Sequence, residues 1–192
     1  SGMLGTYLRR VGCTETLYGI VPDERAALKD ALEKALSEND GVLLSGGSSK
    51  DERDLCTDII GELGEVLVHG VSIAPGKPTI IGRCREKPVL GLPGHPASAL
   101  VVLDRIGRPL LAAMSGEVMG KGCTRTALLA QNIPSLRGRE DYVRGRLEGD
   151  RAVPRFGKSG LLNTLVQSDG MVRIPAGSEG LEIGETVEVL LW

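Results

Sequence analysis

The spacing of apolar residues changes at SGEVMGKG, residues 115–122. Before this segment, strand-like apolar runs alternate with helical patterns, which is typical of a mostly parallel sheet covered by helices on both faces. After it, short strand-like runs are separated by the turn signals EGD at 148–150 and PAG at 175–177, which are typical of a small all-β domain. We therefore predict an α/β domain at residues 1–117 and a β domain at residues 118–192.

Apolar periodicity also places individual elements. Leu55, Ile59, Ile60 and Leu63 share one helical face, and Asp23 precedes another helical pattern as a candidate N-cap residue. Further helices are predicted at 3–11, 24–37 and 96–114, and strands at 16–21, 41–46, 65–73, 78–82, 88–92, 124–129, 142–147, 152–155, 171–174 and 186–191.

Composition excludes several classes of protein. The formal net charge of -2 offers no basic surface for nucleic acid, and no stretch approaches the roughly 18 apolar residues of a membrane span. The four cysteines are far apart and match neither a zinc knuckle nor a redox pair, so we expect a soluble cytoplasmic protein with free thiols. Because Ser1, Gly2 and Met3 open inside a helical pattern, we predict a piece of a longer protein.

The segment SGGSSKD, residues 45–51, joins a buried-type strand to a helix. Gly46 and Gly47 would let backbone N–H groups converge on an anion at the positive end of that helix. A capping box formed by Ser49 and Glu52 explains the serine and the acid equally well. Both interpretations remain open from this segment alone.

Three carboxylates follow on the same helix. Asp51, Asp54 and Asp58 are spaced i, i+3 and i+7, which brings them near one face. Such a row could hold Mg²⁺ or orient a reacting group. More often it is a solvated face, with Lys50 four residues before Asp54 as an ion-pair partner. The spacing by itself favours the solvated face.

The segment APGKP, residues 74–78, connects two apolar runs through a stiff loop. Pro75 and Gly76 suit the central positions of a type II turn, in which glycine accepts a positive φ. That turn does not account for Lys77, which lies between Gly76 and Pro78. An ammonium group on a rigid loop beside a glycine suits a phosphate or another oxyanion.

The segment GLPGHPASA, residues 91–99, is the third loop of this kind. Pro96 suits the first turn of the following helix, with Ser98 beside unpaired backbone donors. His95 is a candidate acid, base or ligand, but it has no partner at metal spacing and is more often an ordinary loop residue. His69, inside a strand pattern, is expected to be structural.

The three loops share a position relative to the strands. Each follows the end of an apolar strand, and ligands of open α/β sheets bind outside the carboxyl ends of the strands. Together the loops therefore predict one crevice that accepts an anion.

The order of LLSGGSSKDERDL, EVLVHGVSIAPGKPTIIG, KPVLGLPGHPASAL and LLNTLVQSDGMVRIP, ending in GETVEVLLW, resembles the C-terminal half of the molybdopterin molybdenumtransferase family, which includes MoeA and the gephyrin E domain. The resemblance covers essentially the whole chain. It implies an α/β domain with a MogA/MoaB-like three-layer fold whose mostly parallel sheet lacks its first strand. A small β-barrel domain would follow.

The resemblance also implies an activity. This family inserts molybdate or tungstate into adenylylated molybdopterin, with Mg²⁺, and releases AMP. The implied partners are the pterin substrate, a second copy of the full-length protein in a homodimer, and a MogA/MoaB-like adenylyltransferase. Because the family's active cleft forms between two subunits that carry additional N-terminal domains, we expect these 192 residues alone to be inactive.

Matching positions carry implied roles. Asp54 is implied to be catalytic and a Mg²⁺ ligand, and Lys77 to be the catalytic cation that handles the oxyanion. In the β domain, GREDYVRG implies an arginine, with Arg144 the first candidate and Arg139 the second. The residues implied to bind the cofactor precursor are Gly46, Gly47, Ser49, Pro78, Gly94, Ser98, Arg144 and Ser159.

Three positions depart from the family pattern. Ala74 stands where the family has the first lysine of KPGKP. Asp51 stands where it commonly has a glycine, and His95 stands where it commonly has an aromatic residue or an asparagine. Ala74 and the missing first strand favour a second interpretation, a pterin-binding or scaffold module without turnover. A third, a CinA-like nucleotide-processing relative, is disfavoured by PGKP and by the β domain at 118–192.

Overall fold

The chain divides into two compact units in the computed structural model. The first comprises Ser1–Val71 and Gly76–Arg108, and the second comprises Ser72–Pro75 and Pro109–Trp192. The predicted boundary near residue 117 stays a prediction. The structure describes residues 2–46, 50–118, 122–157, 160 and 162–192, with the side chains of 50–54 and 162 outside that description.

The first 115 residues contain both helices and strands, and strands dominate the remainder. The predicted helices are confirmed, and none in the described part of the chain is long and apolar enough to cross a membrane. The first elements are α1 (Gly2–Arg10), α2 (Arg25–Glu38), β1 (Val42–Ser45), α3 (Lys50–Leu63), β2 (Gly64–His69), β3 (Ile73–Ala74), β4 (Ile80–Cys84), β5 (Lys87–Leu92), α4 (Pro96–Val102), a π-helical segment (Leu103–Gly107) and α5 (Arg108–Ser115). The later elements are β6 (Thr124–Leu129), β7 (Ile133–Pro134), β8 (Glu140–Glu148), β9 (Arg151–Pro154), α6 (Leu162–Val166), β10 (Gly170–Ile174), β11 (Gly180–Leu181) and β12 (Thr186–Leu191).

The sheet of the first unit has the order β1-β5-β4-β2 and is mixed. β1 and β5 pair in parallel, whereas β4 pairs antiparallel with both β5 and β2. In the described residues, β1, β5 and β2 run in the same direction and β4 runs against them, so the predicted sheet is interrupted by one antiparallel strand. The cause is a two-residue hairpin turn at Arg85 and Glu86, whose φ angles are 51° and 59°. Sequence normally signals that turn by Asn-Gly or Asp-Gly, which are absent at these two positions.

The segment between α1 and α2 is not a strand. The strand predicted at 16–21 is wrong, since Ile20 is 100% exposed and no described strand pairs with the segment. Its Tyr18 hydroxyl instead donates to Glu38 at 2.7 Å, at the end of α2. Asp23 is not the N-cap residue of α2 either, because Glu24 occupies that position without a side-chain capping bond.

Helices pack against both faces of the first sheet. On one face, Leu36 of α2 and Ile60 of α3 join a buried cluster with Val89. On the other face, Leu4 of α1 joins a cluster with Leu90. Val89 and Leu90 are neighbours in β5, and consecutive residues of a strand point to opposite faces. The first unit is therefore a mixed α/β fold with helices on both faces of its sheet.

The second unit is built on a barrel-like sheet of five strands. Its order is β10-β12-β6-β9-β8, and β10 also pairs with β8, which closes the ring. β3 extends the sheet beside β8, with Ala74 opposite Asp141. Leu129, Ile174 and Val189 belong to its buried core cluster. The predicted barrel-like domain is confirmed as a closed ring of five strands.

Candidate functional site

The ends of three strands and the start of a fourth lie at one edge of the sheet of the first unit. β1 and β5 are parallel neighbours with Ser45 opposite Leu92, so these two strands end side by side. β2 runs in the same direction beyond β4, and its last residue, His69, lies opposite Ile80 at the start of β4. The residues that lead into β4, including Lys77, therefore lie at the same edge.

Gly46 follows β1 at this edge. Its φ of 138° lies in a region that favours glycine. A Cβ placed there would meet no described atom within 4 Å, so no described residue covers its backbone. Gly47 and Ser49 lie outside the described residues, as does the side chain of Asp54 on α3. Their roles stay predictions.

A small pocket at this edge brings two predicted site residues together. Gly46 and Pro78 both line it, with Cys56 of α3 beside them. Its volume is about 20 Å³, which is space for about one water molecule. The pocket is therefore too small to hold a substrate by itself. Its other lining residues are Leu44, Ile80, Gly91 and Leu92.

Hydrogen bonds hold the backbone of the loop that carries Lys77. The Lys77 carbonyl accepts from the N–H groups of Val71 at 3.0 Å and Thr79 at 2.9 Å. The Thr79 hydroxyl donates to the carbonyl of Gly76 at 2.6 Å. The predicted type II turn at Pro75 and Gly76 is wrong, because φ of Gly76 is 146° instead of the roughly 80° of that turn. The exposed Lys77 side chain thus extends from a fixed backbone.

Thr79 is a residue of this loop that the sequence patterns did not single out. It is 0% exposed, and replacing it with valine would keep its shape but remove the donor to the Gly76 carbonyl. We expect Thr79→Val to lower the free energy of unfolding by about 1–3 kcal/mol, and Thr79→Ser, which keeps the hydroxyl, to lower it less. Urea denaturation measures both, and equal losses would show that the hydroxyl does not hold the loop.

The loop after β5 leads directly into α4. Pro96 is the first residue of α4, as predicted, and His95 precedes it as the N-cap residue without a side-chain capping bond. Gly94 is exposed at the edge, whereas Ser98 is only 5% exposed. The binding roles of Gly94 and Ser98 stay predictions.

The arginine predicted from GREDYVRG belongs to the second unit. Arg144 is 6% exposed, and its Nη2 donates to the carbonyl of Gly157 at 2.7 Å. Burial lowers the pKa of its guanidinium group, because desolvation disfavours the charged form. Arg139, the second candidate, has its Nε 2.8 Å from Oδ1 of Asp141. Ser159 lies outside the described residues.

Both arginines line one cavity of the second unit. Its volume is about 310 Å³, which is within the usual range for small-molecule pockets. Asp141 and Arg155 line it as well, and sequence reasoning selected neither as a site residue. The pairing of β8 with β9 places Arg155 beside Arg144, and no sequence motif indicates this. The Arg155 N–H donates to the Arg144 carbonyl at 2.7 Å.

Metal-ligating side chains do not gather in the described part of the chain. Among those residues, no group of three or more His, Cys, Asp or Glu could hold a metal ion. Asp58, the third member of the predicted acidic row, lies 3.7 Å from Arg25 and is largely exposed, which fits a solvated face. The side chains of Asp51 and Asp54 lie outside the description, so a Mg²⁺ site stays a prediction.

Residues 1–113 match the family model described as "Probable molybdopterin binding domain". The chain belongs to this molybdopterin-binding family. Residues 126–192 match a second model, "MoeA C-terminal region (domain IV)". The resemblance to the MoeA family predicted from sequence motifs is therefore confirmed.

Relatives of this chain match nearly all of it. A molybdopterin biosynthesis protein of Methanocaldococcus jannaschii is 37% identical over 100% of this chain and 46% of its own length. The molybdopterin molybdenumtransferase of Haemophilus influenzae is 30% identical over 95% of this chain and 47% of its own length. The crystal structure of a MoeA protein from Pyrococcus horikosii has a TM-score of 0.87 at 40% identity, over 99% of this chain and 46% of that one. The chain thus spans about half the length of these relatives.

Proposed function

We propose that this chain forms the pterin-binding and oxyanion-binding part of a molybdopterin molybdenumtransferase. The proposed reaction inserts molybdate or tungstate into adenylylated molybdopterin and releases AMP, in the cytoplasm. The observation that most supports it is the exposed Lys77 on a hydrogen-bonded loop at the sheet edge of a molybdopterin-binding family member. Relatives named for this activity add support.

The proposed roles follow from the charges that the reaction handles. Molybdate is a dianion and the substrate carries phosphate groups, so the protein must supply positive charge and N–H donors. Lys77 supplies a point charge from a fixed backbone, and Gly46 supplies open backbone at the crevice. Arg144 supplies a guanidinium group and is a better candidate than Arg139, whose charge is neutralised by Asp141. We propose further substrate contacts from Gly47, Ser49, Pro78, Gly94, Ser98 and Ser159.

The proposal includes a metal ion and two protein partners. Mg²⁺ would neutralise phosphate oxygens, with Asp54 as its ligand. A second copy of the polypeptide would complete the active cleft, and a MogA/MoaB-like adenylyltransferase would supply the adenylylated pterin. A MogA/MoaB-like three-layer arrangement of the first unit belongs to the same proposal.

Lys77→Ala tests the proposed function. In the complete natural polypeptide that contains these residues, adenylylated molybdopterin and molybdate are expected to yield AMP. The substitution is expected to weaken molybdate binding about 10- to 100-fold, because a hydrogen bond to a charged group contributes about 1.5–3 kcal/mol. Calorimetry measures the affinity, and chromatography measures AMP.

Lys29→Ala is the matched control. It removes the same charge from α2, where Lys29 lies 3.3 Å from Glu62, and should change molybdate affinity less than about twofold, as expected for a screened surface charge. Unchanged affinity in Lys77→Ala would remove Lys77 from the site. If the natural polypeptide binds the adenylylated pterin without releasing AMP, the pterin-binding or scaffold interpretation replaces the transferase.

A further inference from the structure

The cavity of the second unit contains more positive than negative charge. Arg139, Arg144, Arg155 and Asp141 all line it. The Asp141 carboxylate is already engaged, since its Oδ2 accepts hydrogen bonds from Nη2 of Arg139 at 3.1 Å and from the Ser135 hydroxyl at 2.7 Å. Asp141 thus neutralises Arg139, and among the described lining residues no second carboxylate faces Arg144 and Arg155.

Arg144 and Arg155 lie side by side at the end of the β8–β9 pairing. Gly145 is opposite Pro154 in this antiparallel pair, and the Arg155 N–H donates to the Arg144 carbonyl. Like charges on neighbouring strands repel. Such a pair is retained at lower energetic cost where an anion lies between the two groups.

The hydrogen bonding of the two guanidinium groups is incomplete. Nε of Arg144 and Nε of Arg155 are buried and have no hydrogen-bond partner among the residues that the structure describes. Buried donors are normally paired, so each exception calls for a ligand or a water molecule. Within the described residues, Arg144 donates to the neutral carbonyl of Gly157, and Arg155 lies 3.4 Å from the exposed carboxylate of Glu148.

We propose that Arg155 binds a tetrahedral dianion in this cavity together with Arg144. Guanidinium groups present N–H donors in a planar fork that matches oxygen pairs of such anions. The dianion is either the metal oxyanion or a phosphate group of the pterin substrate. Arg155 is thereby a specificity-determining residue, because a second cation favours a dianion over a monoanion. This inference rests on the proposed function, which assigns Arg144 to anion binding.

Calorimetric titrations of the complete natural polypeptide test this pairing, with sodium molybdate in one series and inorganic phosphate in another. Arg155→Gln is expected to weaken binding of at least one anion about tenfold or more, since charge-assisted hydrogen bonds are the strong ones. Arg151→Gln is the matched control, because it removes the same charge from an exposed position of β9. It should change neither affinity more than about twofold, as expected for a screened surface charge.

A third variant is expected to increase the anion affinity instead of lowering it. Glu148→Gln removes the carboxylate that lies 3.4 Å from Arg155 and competes with the anion for its guanidinium group. It should strengthen anion binding about two- to threefold. The gain is small because an exposed ion pair contributes little. A purely structural role of Arg155 would not produce this gain. Trp192 fluorescence confirms that each variant is folded, since its Nε1 donates to the Ser168 carbonyl in the same unit at 3.0 Å.

The outcomes separate this inference from the proposed function. A loss confined to molybdate supports the oxyanion as ligand, and a loss confined to phosphate supports the substrate phosphate. If Arg144→Gln weakens binding and Arg155→Gln does not, the role of Arg155 is wrong while the transferase proposal stands. If the natural polypeptide binds neither anion, the cavity is not an anion site. Absence of AMP release with intact Arg155-dependent binding would contradict the transferase proposal alone.

Discussion

Substitution of Asp54 by alanine is expected to abolish the release of AMP from adenylylated molybdopterin while leaving the affinity for that substrate nearly unchanged. In the proposed function, a carboxylate on α3 orients the attacking water or the Mg²⁺. A positioned acid or base typically contributes about 10²- to 10⁴-fold to the rate. Substrate binding is proposed to rest on the backbone of the loop at 45–51 and on Lys77, which the substitution leaves in place.

Asp58→Ala is the matched control for this prediction. It removes the same charge from the same helix, at a side chain that is 64% exposed and 3.7 Å from Arg25. We expect it to release AMP at the natural rate. Single-turnover assays measure release and calorimetry measures affinity. Equal loss of AMP release and of substrate affinity in Asp54→Ala would contradict the role assigned to Asp54. A similar loss of AMP release in Asp58→Ala would show that the reaction depends on the total charge of α3 and not on the position of Asp54.

Local periodicity predicted the helices of this chain well, because burial of one face determines where they form. Leu36 of α2 and Ile60 of α3 each lie on the apolar face of their own helix, and both are almost fully buried. Whether a segment forms a strand depends on the neighbouring strand it pairs with, and the periodicity of its own residues carries no information about that neighbour. The run at 16–21 therefore matched a strand pattern and formed none, and Arg85 with Glu86 formed a hairpin without the usual turn residues.

The candidate site was predictable where glycine and proline dictate backbone geometry. Gly46 was selected from such a loop and Pro78 from the family resemblance; both line the same pocket, and their binding roles stay predictions. Thr79, Asp141 and Arg155 were missed because their positions follow from hydrogen bonds and strand register. Thr79 matters through the Gly76 carbonyl it binds, and Arg155 through its place beside Arg144. Neither relation leaves a motif in the sequence.

Gly170→Ala is expected to destabilise the second unit by about 3 kcal/mol, a large value for a single methyl group. Gly170 begins β10 at the point where the ring closes, opposite Leu191 of β12 and Gly145 of β8. A Cβ there would lie 2.2 Å from the backbone oxygen of Leu190. No side-chain rotation relieves a contact with backbone, so the pairing of β10 with β12 must open.

Gly177→Ala provides the matched control, because the same change at an exposed position of the turn after β10 meets no described atom within 4 Å. Its effect should stay within about 0.5 kcal/mol. Urea denaturation of these 192 residues, followed by the fluorescence of Trp192, the only tryptophan among them, measures both variants. Since Gly145 faces Gly170 and adjoins Arg144, Gly170→Ala should also weaken anion binding, whereas Gly177→Ala should not. An unchanged urea midpoint in Gly170→Ala would show that the ring tolerates the methyl group, and that the position of Arg144 does not depend on tight closure.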